Sequence, residues 1–417
     1  MTTKIILTIF VFLLFSACSQ SQEETSADSG SGQSHNIAQQ TASSPVASLT
    51  TSSNQQVLEK KYRTVYQTIN GQQMILVEVV SPLMDQPLTQ IRDKADKHEP
   101  AAIYELARRY MKGEAVPQSP DKAIALLEQA AAAGNADAQN DLAGLYDFGH
   151  LGFPQDHHKA FELYREAAKH DQPLAQYNLG ACYYEGTGAP LDYKKSLFWT
   201  QKAADQGYLK ATVMLGWHYA DGHGVAKNTD KAMELFHQAA DQEEGAAFYA
   251  IGKLYDDGNG VTQDYKEAVA WYRKGEKVND PECLALLGVK YYRGEGVPKN
   301  LQKMIFYYRQ AAPLGNALAQ INLGMFYYDG EGVEQNYHIA ADWVKKAANQ
   351  NLPQALAQLS TMYITGHGAN QDLAKAYQYA KRAAHMGNVV GIFNIGQFYE
   401  HGDNVKQSDI ESDITPC

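Results

Sequence analysis

The residues with the clearest catalytic spacing are Ser119 and Lys122, in the segment Ser-Pro-Asp-Lys. A serine three residues before a lysine is the nucleophile pattern of penicillin-interacting enzymes, in which the serine attacks an acyl group. Those enzymes also need a Lys-Thr-Gly segment, and the sequence contains none. We expect Ser119 to cap a helix instead, and we predict that the chain is not an enzyme.

Histidine and glycine patterns indicate neither a metal site nor a cofactor site. His223 and His367 each lie between two glycines. Zinc sites usually need a His-Glu-x-x-His or Cys-x-x-Cys spacing, and the sequence has neither. The Gly-x-Gly pairs lack the preceding strand and the third glycine of a dinucleotide-binding loop. We therefore expect these glycines to form turns.

The segments that position these residues form a repeat. The pattern Ala-x-x-x-Leu-Gly-x-x-Tyr-x-x-Gly-x-Gly-Val returns about every 36 residues, a period typical of stacked helical arrays. Eight copies are complete, and a ninth has only its first helix. Numbered one to nine, with the leading small residue as position 0, the repeats start at Ala102, Ala138, Ala175, Ala211, Ala247, Cys283, Ala319, Ala355 and Gly391.

Each repeat predicts two helices, A and B. Positions 0, 4, 5 and 8 are apolar or small, so we predict helix A from position 0 to position 10. The glycine at position 5, for example Gly216, costs helix propensity and indicates that helix B passes too close for a side chain. The Gly-x-Gly-Val segment supplies the positive φ that ends helix A. A row of predicted N-caps opens helix B at Ser119, Asp156, Asp192, Asn228, Asp264, Asn300, Asn336 and Asp372.

The unbroken period predicts one all-α solenoid domain over residues 91–405, followed by a polar C-terminal tail at 406–417. Ahead of it, the segment 58–90 contains two runs rich in Val, Ile and Tyr on either side of Asn70-Gly71. Such a pair of runs predicts a small β-hairpin with strands at 62–69 and 72–80. Because an isolated hairpin is marginally stable, we expect it to pack on the first repeat.

The N-terminus has the features of an export and anchoring signal. In residues 1–17, Lys4 precedes an apolar run that is too short to span a bilayer. The segment Phe-Ser-Ala-Cys ending at Cys18 resembles the bacterial lipobox, which implies lipidation of Cys18 and an outer-membrane anchor facing the periplasm. Residues 18–57 are rich in Ser, Gln, Thr, Ala and Gly, and they predict a disordered tether.

Cysteine use and charge narrow the classes of partner. Cys182 and Cys283 lie three repeats apart, beyond disulfide reach when helices pack about 8–10 Å apart, so we expect two buried thiols. Cys417 is expected to be a tail thiol. The net charge of −11 disfavours nucleic acid and anionic lipid surfaces as partners and permits basic proteins.

The repeat pattern, with Lys-Ala opening helix B and Ala-Ala closing it, resembles the Sel1-like repeat family, which is related to tetratricopeptide arrays. The resemblance implies a right-handed superhelix of helix pairs that holds protein partners. A cysteine-rich branch of that family is linked to penicillin binding or weak β-lactamase activity, but its cysteine pairs are absent here. Gly275-Glu276 in place of Ala-Ala, and Cys283 in place of the leading Ala, predict a bent or loose junction between repeats five and six.

The open side of helix A is the predicted binding site. Positions 2, 6 and 9 project away from the apolar stripe, and in such superhelices that side lines the concave groove. Aromatic anchors beside a few charges are typical of a protein-binding hot spot. The alternative is that these rings pack between neighbouring repeats. The predicted groove residues are Trp217, Tyr292 and Tyr328, which are the strongest candidates, and Tyr177, Tyr184, Tyr249, Lys253, Asp256 and Met325.

These features together predict a lipid-anchored periplasmic scaffold that binds a protein or peptide in its concave groove and needs no cofactor. A sharper version is an immunity factor that neutralises an effector toxin acting in the envelope, a role implied by lipoprotein relatives. The rival from another class is a cell-wall-acting or penicillin-binding hydrolase. A third reading is display toward a host, which requires the lipoprotein to reach the outer leaflet.

Overall fold

The computed structural model describes residues 83–401, together with the backbone of residues 62–69 and 72–79. The predicted signal, Cys18, the tether, the Asn70-Gly71 turn and the polar tail with Cys417 lie outside the described residues. Strands β1 (Tyr62–Ile69) and β2 (Gln72–Val79) pair antiparallel, with Ile69 opposite Gln72. The predicted strands are confirmed, and the packing of the hairpin on the first repeat stays a prediction.

The described helices alternate between A and B after an initial helix, α1 (Leu88–Asp96). The helices A are α2 (Pro100–Lys112), α4 (Ala136–Phe148), α6 (Pro173–Glu185), α8 (Leu209–Asp221), α10 (Gly245–Asp257), α12 (Pro281–Arg293), α14 (Ala317–Asp329), α16 (Pro353–Thr365) and α18 (Val389–His401). The helices B are α3 (Pro120–Ala132), α5 (His157–Lys169), α7 (Tyr193–Asp205), α9 (Thr229–Ala240), α11 (Tyr265–Lys277), α13 (Leu301–Ala311), α15 (Tyr337–Asn349) and α17 (Leu373–His385).

The helices stack in sequence order. Each helix A packs on the helix B of its own repeat, and that helix B packs on helix A of the next repeat. This arrangement buries an apolar side that no single repeat could cover, as Ile251 and Tyr272 show in repeat five, where both are fully buried. The chain is therefore an all-α solenoid, as predicted.

Helix ends follow the predicted caps and turns. Helix A ends where the first turn glycine takes a left-handed conformation, for example Gly222 with φ +77°. The second glycine, such as Gly224, has no room for a side chain because the backbone of Tyr193 in the preceding repeat lies against it. From Asp156 onward, the predicted N-caps of helix B accept backbone N–H groups of the first turn. Ser119 occupies the cap position without making that bond.

The glycine at position 5 marks the closest approach of helix A to helix B. A Cβ atom on Gly288 would lie 2.7 Å from the Tyr308 ring, and one on Gly324 would lie 2.8 Å from Val344 Cγ2. Gly396 in α18 meets nothing within 4 Å, and no helix B is described after it. The predicted reason for the recurring glycine is therefore confirmed.

The first repeat is covered by a helix that the repeat pattern does not predict. Ile91 of α1 is fully buried against the first repeat. The guanidinium of Arg109 donates 2.8 Å hydrogen bonds to the carbonyl oxygens of Met84 and Gln86, which fix the segment before α1. Helix α1 therefore shields the apolar start of the array.

The junction between repeats five and six is tightly packed, so the loose packing predicted there is wrong, and the predicted bend stays a prediction. Gly275 is buried, and a Cβ atom there would overlap the Sγ of Cys283. The two departures from the repeat compensate each other, because the missing methyl of one makes room for the larger side chain of the other. Cys182 and Cys283 are both buried free thiols, as predicted.

Candidate partner-binding site

The predicted groove residues lie on helices A of repeats three to seven, that is on α6, α8, α10, α12 and α14. All nine side chains are half-buried, so each keeps part of its surface accessible while packing on a neighbour. Their role in binding stays a prediction. Their surroundings divide them into an aromatic group, two histidine-containing junctions and one charged junction.

The aromatic group is centred on Trp217 of α8. Its ring centroid lies 5.2 Å from that of Phe236 and 6.4 Å from that of Tyr249 in the next repeat. Burial raises the pKa of Tyr249 to about 12, so its hydroxyl stays protonated and can donate a hydrogen bond at neutral pH. In the preceding repeat, Tyr177 packs edge-on against Tyr208 at 5.4 Å.

The junction between repeats three and four is built from Tyr184, Tyr193 and His223. The imidazole of His223 stacks on Tyr193 with centroids 4.0 Å apart and an interplanar angle of 3°. Its Nδ1 lies 2.9 Å from the Tyr184 hydroxyl, whose pKa burial raises to about 12. Beneath them, the fully buried His218 is hydrogen-bonded to Ser196 and to the His223 carbonyl.

The junction between repeats seven and eight repeats this arrangement. His367 stacks on Tyr337 at 4.5 Å with an interplanar angle of 7°, and its Nδ1 lies 3.1 Å from the Tyr328 hydroxyl. Burial raises the pKa of Tyr328. Tyr184 and Tyr328 thus join neighbouring repeats, which matches the alternative that the sequence left open for these rings.

The junction between repeats five and six has charged groups at the same positions. Lys290 is 2 % exposed and forms ion pairs with Asp256 and with Glu295, the latter at 2.7 Å. The Lys290 ammonium also lies 4.7 Å from the centroid of the Tyr265 ring. Asp256 therefore belongs to a junction and not to the space between the aromatic rings.

The remaining predicted residues have lighter contacts. Lys253 pairs with Asp257 at 2.6 Å, one turn along the same helix. The Lys299 ammonium lies 5.4 Å from the Tyr292 ring centroid. Met325 packs on the apolar core of repeats seven and eight. The candidate rings that belong to none of the three junctions are therefore those of Tyr177, Trp217, Tyr249 and Tyr292.

A row of carboxylates along the N-terminal ends of helices A was not singled out from the sequence. Glu244 and Asp280 stand at the same position of successive repeats, and Glu282 lies in the first turn of α12. Burial raises the pKa of all three, and Lys210 opposes the shift at Glu244 and Asp280. Tyr249 lies close enough to Glu282 and Asp280 to feel their charge. The sequence indicates this row by an acidic residue three residues before position 0 in repeats one, five and six, namely Glu99, Glu244 and Asp280.

The serine-lysine pattern does not assemble a nucleophile. Ser119 occupies the N-cap position of α3, and the Lys122 ammonium is turned to the Tyr110 ring, 5.5 Å from its centroid. Among residues 83–401, no group of three or more His, Cys, Asp or Glu side chains is placed to hold a metal ion. In the same part of the chain, no helix is long and apolar enough to cross a bilayer.

The repeat geometry agrees with a known family. The Sel1 repeat matches residues 100–135, 136–172, 173–208, 209–244, 245–277, 281–316, 317–352, 353–388 and 389–412, which together span more than half of the chain. The chain belongs to the Sel1 repeat family. Like the members of that family, this Sel1 repeat protein stacks one helix pair per repeat.

Solved structures with a similar fold come from several bacteria. A protective antigen of uropathogenic Escherichia coli with an SLR fold is 30% identical over 76% of this chain and 68% of that chain, with a TM-score of 0.44. A Sel1 repeat protein of Oxalobacter formigenes is 30% identical over 76% and 90%, with a TM-score of 0.46. An immunity protein of Pseudomonas aeruginosa is 23% identical over 53% and 84%, with a TM-score of 0.40. Among proteins with curated functions, none is significantly similar in sequence.

Proposed function

We propose that this Sel1 repeat protein is a scaffold that holds a protein or peptide partner against the helix A side of repeats three to six. The observation that carries the proposal is the half-buried pair of rings of Trp217 and Tyr249, with the half-buried ring of Tyr292 on helix A of the next repeat. Large aromatic rings that are already ordered by packing bind with little loss of side-chain entropy, and they are enriched at binding hot spots.

Charge indicates the character of that partner. Glu244 and Asp280 are half-buried beside the aromatic group, where burial disfavours their charged forms, and Glu282 is exposed next to them. A lysine or arginine from a partner would restore favourable electrostatics at these carboxylates. The proposed partner segment is therefore basic, and it presents apolar side chains to the rings.

The test compares two double variants of the full chain. Trp217→Ala/Tyr292→Ala removes the proposed anchors, and Phe198→Ala/Phe306→Ala removes two exposed rings from helices B as a matched control. Partners cross-linked in the native cells are compared by mass spectrometry, after circular dichroism has established that both variants are helical. We expect the first variant alone to lose specific partners. Equal recovery from both would reject the assignment of this surface.

The cellular setting of the proposal is a lipid anchor at Cys18 in the outer membrane, facing the periplasm. The support is the lipobox resemblance. A Cys18→Ala variant should leave the membrane fraction and lose incorporation of labelled fatty acid. Protease treatment of intact cells should spare the native protein, and cleavage there would instead indicate display toward the outside.

The sharper version of the proposal is immunity to an effector toxin that acts in the envelope. Cells that lack this protein should then grow normally alone and lose viability only when a competitor delivers the toxin. The Trp217→Ala/Tyr292→Ala variant should fail to protect them. A growth defect in the absence of any competitor would favour a general scaffold.

A further inference from the structure

A second set of aromatic rings lies on helices B, where each ring packs along part of its surface on the array, as Trp271 does on Phe248 of α10. These rings stand at one position of α7, α11 and α15, two repeats apart, and each is half-buried. They are Trp199, Trp271 and Trp343. The lysine three residues after each ring lies over it, with ammonium-to-centroid distances of 5.3, 3.1 and 4.0 Å for Lys202, Lys274 and Lys346. We call these pairs the tryptophan–lysine row.

The row continues into repeat eight and is flanked by exposed rings. In α17 the same two positions hold Tyr379 and Arg382, with the guanidinium 5.8 Å from the ring centroid. Phe198 and Phe306 precede the row position in repeats three and six, and they are 55% and 53% exposed. The surface therefore combines accessible apolar rings with cations along helices B.

Positive charge concentrates on this side. In α11, α13, α15 and α17, lysine and arginine outnumber aspartate and glutamate, although the chain as a whole has a net charge of −11. Taken together, the helices A of the same repeats carry no such excess, with three lysines or arginines against four aspartates or glutamates. Most of these cations are exposed, including Lys274, Lys346 and Arg382. Among the described residues, Lys274 and Lys346 form no salt bridge with a carboxylate.

We propose that the tryptophan–lysine row of repeats three to eight rests on an anionic lipid surface. Indole rings prefer the boundary between headgroups and acyl chains, because one edge is polar and the body is apolar. Lysine and arginine near an anionic surface add attraction that falls off within a Debye length. The partner is phospholipid with negatively charged headgroups, and the helix A side then points away from that surface toward its protein partner.

Tryptophan fluorescence can report which side meets the lipid. The chain has four tryptophans, of which Trp217 alone lies on a helix A. The Trp217→Phe variant keeps only the three tryptophans of the row as fluorophores. The Trp199→Phe/Trp271→Phe/Trp343→Phe variant keeps only Trp217. Each full-length variant is mixed with vesicles of phosphatidylethanolamine and phosphatidylglycerol whose acyl chains are brominated. Because bromine quenches only nearby rings, we expect quenching in the first variant and little in the second.

This readout does not depend on how the N-terminus is attached, because it reports the distance of each ring from the acyl chains. It is also independent of the proposed partner site, since neither variant is scored by partner capture. Quenching of Trp217 equal to that of the row, or no quenching of the row, would overturn the proposal. Loss of quenching when phosphatidylcholine replaces phosphatidylglycerol is the expected dependence on anionic headgroups.

Charge removal supplies a second measurement. Lys274→Gln/Lys346→Gln/Arg382→Gln should weaken vesicle binding on the order of fivefold for each charge removed. Lys122→Gln/Lys227→Gln/Lys299→Gln changes the net charge equally at positions outside the row, and it should weaken binding far less. Equal losses would show attraction by net charge alone and would also overturn the proposal. Surface substitutions of this kind leave the helices intact, which circular dichroism checks.

Discussion

At the junction of repeats three and four, a histidine stacks on Tyr193, whereas at the junction of repeats five and six a buried lysine gathers two carboxylates beside Tyr265. Both junctions use the same positions of the repeat. The tyrosine is the first residue of helix B. The groups around it come from the end of helix A in its own repeat, and from helix A and the following turn of the next repeat. His223 and Glu295 are equivalent residues, and so are His218 and Lys290.

The comparison shows that the backbone fixes where a junction forms but leaves its chemistry open. The second turn glycine lies against the start of the previous helix B, and where that helix begins with a tyrosine the ring stands beside the turn, as Tyr193 does beside His223. The space beside that tyrosine is filled by a stacked histidine at one junction and by an ion-paired lysine at the other. The two kinds of junction should differ in how their stability depends on pH and on single substitutions, and four sets of variants test this.

The largest effect is expected at the charged junction. Lys290→Met leaves Asp256 without its cation and Glu295 with only the more distant Arg293, so the free energy of unfolding should fall by about 3 kcal/mol. Urea denaturation measures the loss, and hydrogen exchange locates it in α10 to α12, because solenoids open locally. Adding Asp256→Asn and Glu295→Gln should recover most of it. A single variant as stable as the native chain would show that the ion cluster contributes little.

The compensating pair at the same junction should give the next largest effect. Gly275→Ala forces a methyl group into Cys283, with a cost of about 1–3 kcal/mol. Cys283→Ala alone deletes a methyl-sized group and costs about 1 kcal/mol. The double variant restores the residues found in other repeats, so it should lose clearly less than the sum. Additive losses would contradict the compensation.

Acid should weaken the histidine junction through His218. Burial, the largest cause, lowers the pKa of this imidazole below its ordinary value, so the unfolded chain binds more protons in the interval between the two pKa values. Stability contributed here is present above about pH 6.5 and is lost as the pH falls through that interval. His218→Met, which copies Met362 of repeat eight, should give a shallower loss of the urea midpoint between neutral and acidic pH. If the urea midpoint of the variant falls with pH as steeply as that of the native chain, the acid sensitivity of folding does not come from His218.

The smallest effect is expected from a single hydroxyl. Tyr328→Phe removes the hydrogen bond to His367 but keeps the ring stack, so the free energy of unfolding should fall by about 1 kcal/mol or less. Tyr184→Phe is the matched variant at the junction of repeats three and four. A loss as large as that of Lys290→Met would mean that the two kinds of junction do not differ as described.

Much of the local structure could be predicted from the sequence, because each local feature recurs from repeat to repeat. The glycine at position 5, the turn glycines and the N-cap row each have one physical cause that acts within a single repeat. The contacts within the candidate site could be predicted less well. Tyr184, Tyr328 and Asp256 were grouped with Trp217 by position alone, and the structure assigns them to junctions. The tryptophan–lysine row has a period of two repeats, and a search for a one-repeat pattern overlooks it.

The order of residues by itself determined the helix pairs, their turns and their stacking, because these depend on spacing within a repeat and on apolar surface that a neighbour must cover. Only the tertiary structure decided which side chains meet across a junction. Cys283 fills the space left by Gly275, and Lys290 reaches both Asp256 and Glu295. Such contacts join residues that are distant in the chain, and their outcome depends on the volume and charge available between two packed helices, which no single repeat encodes.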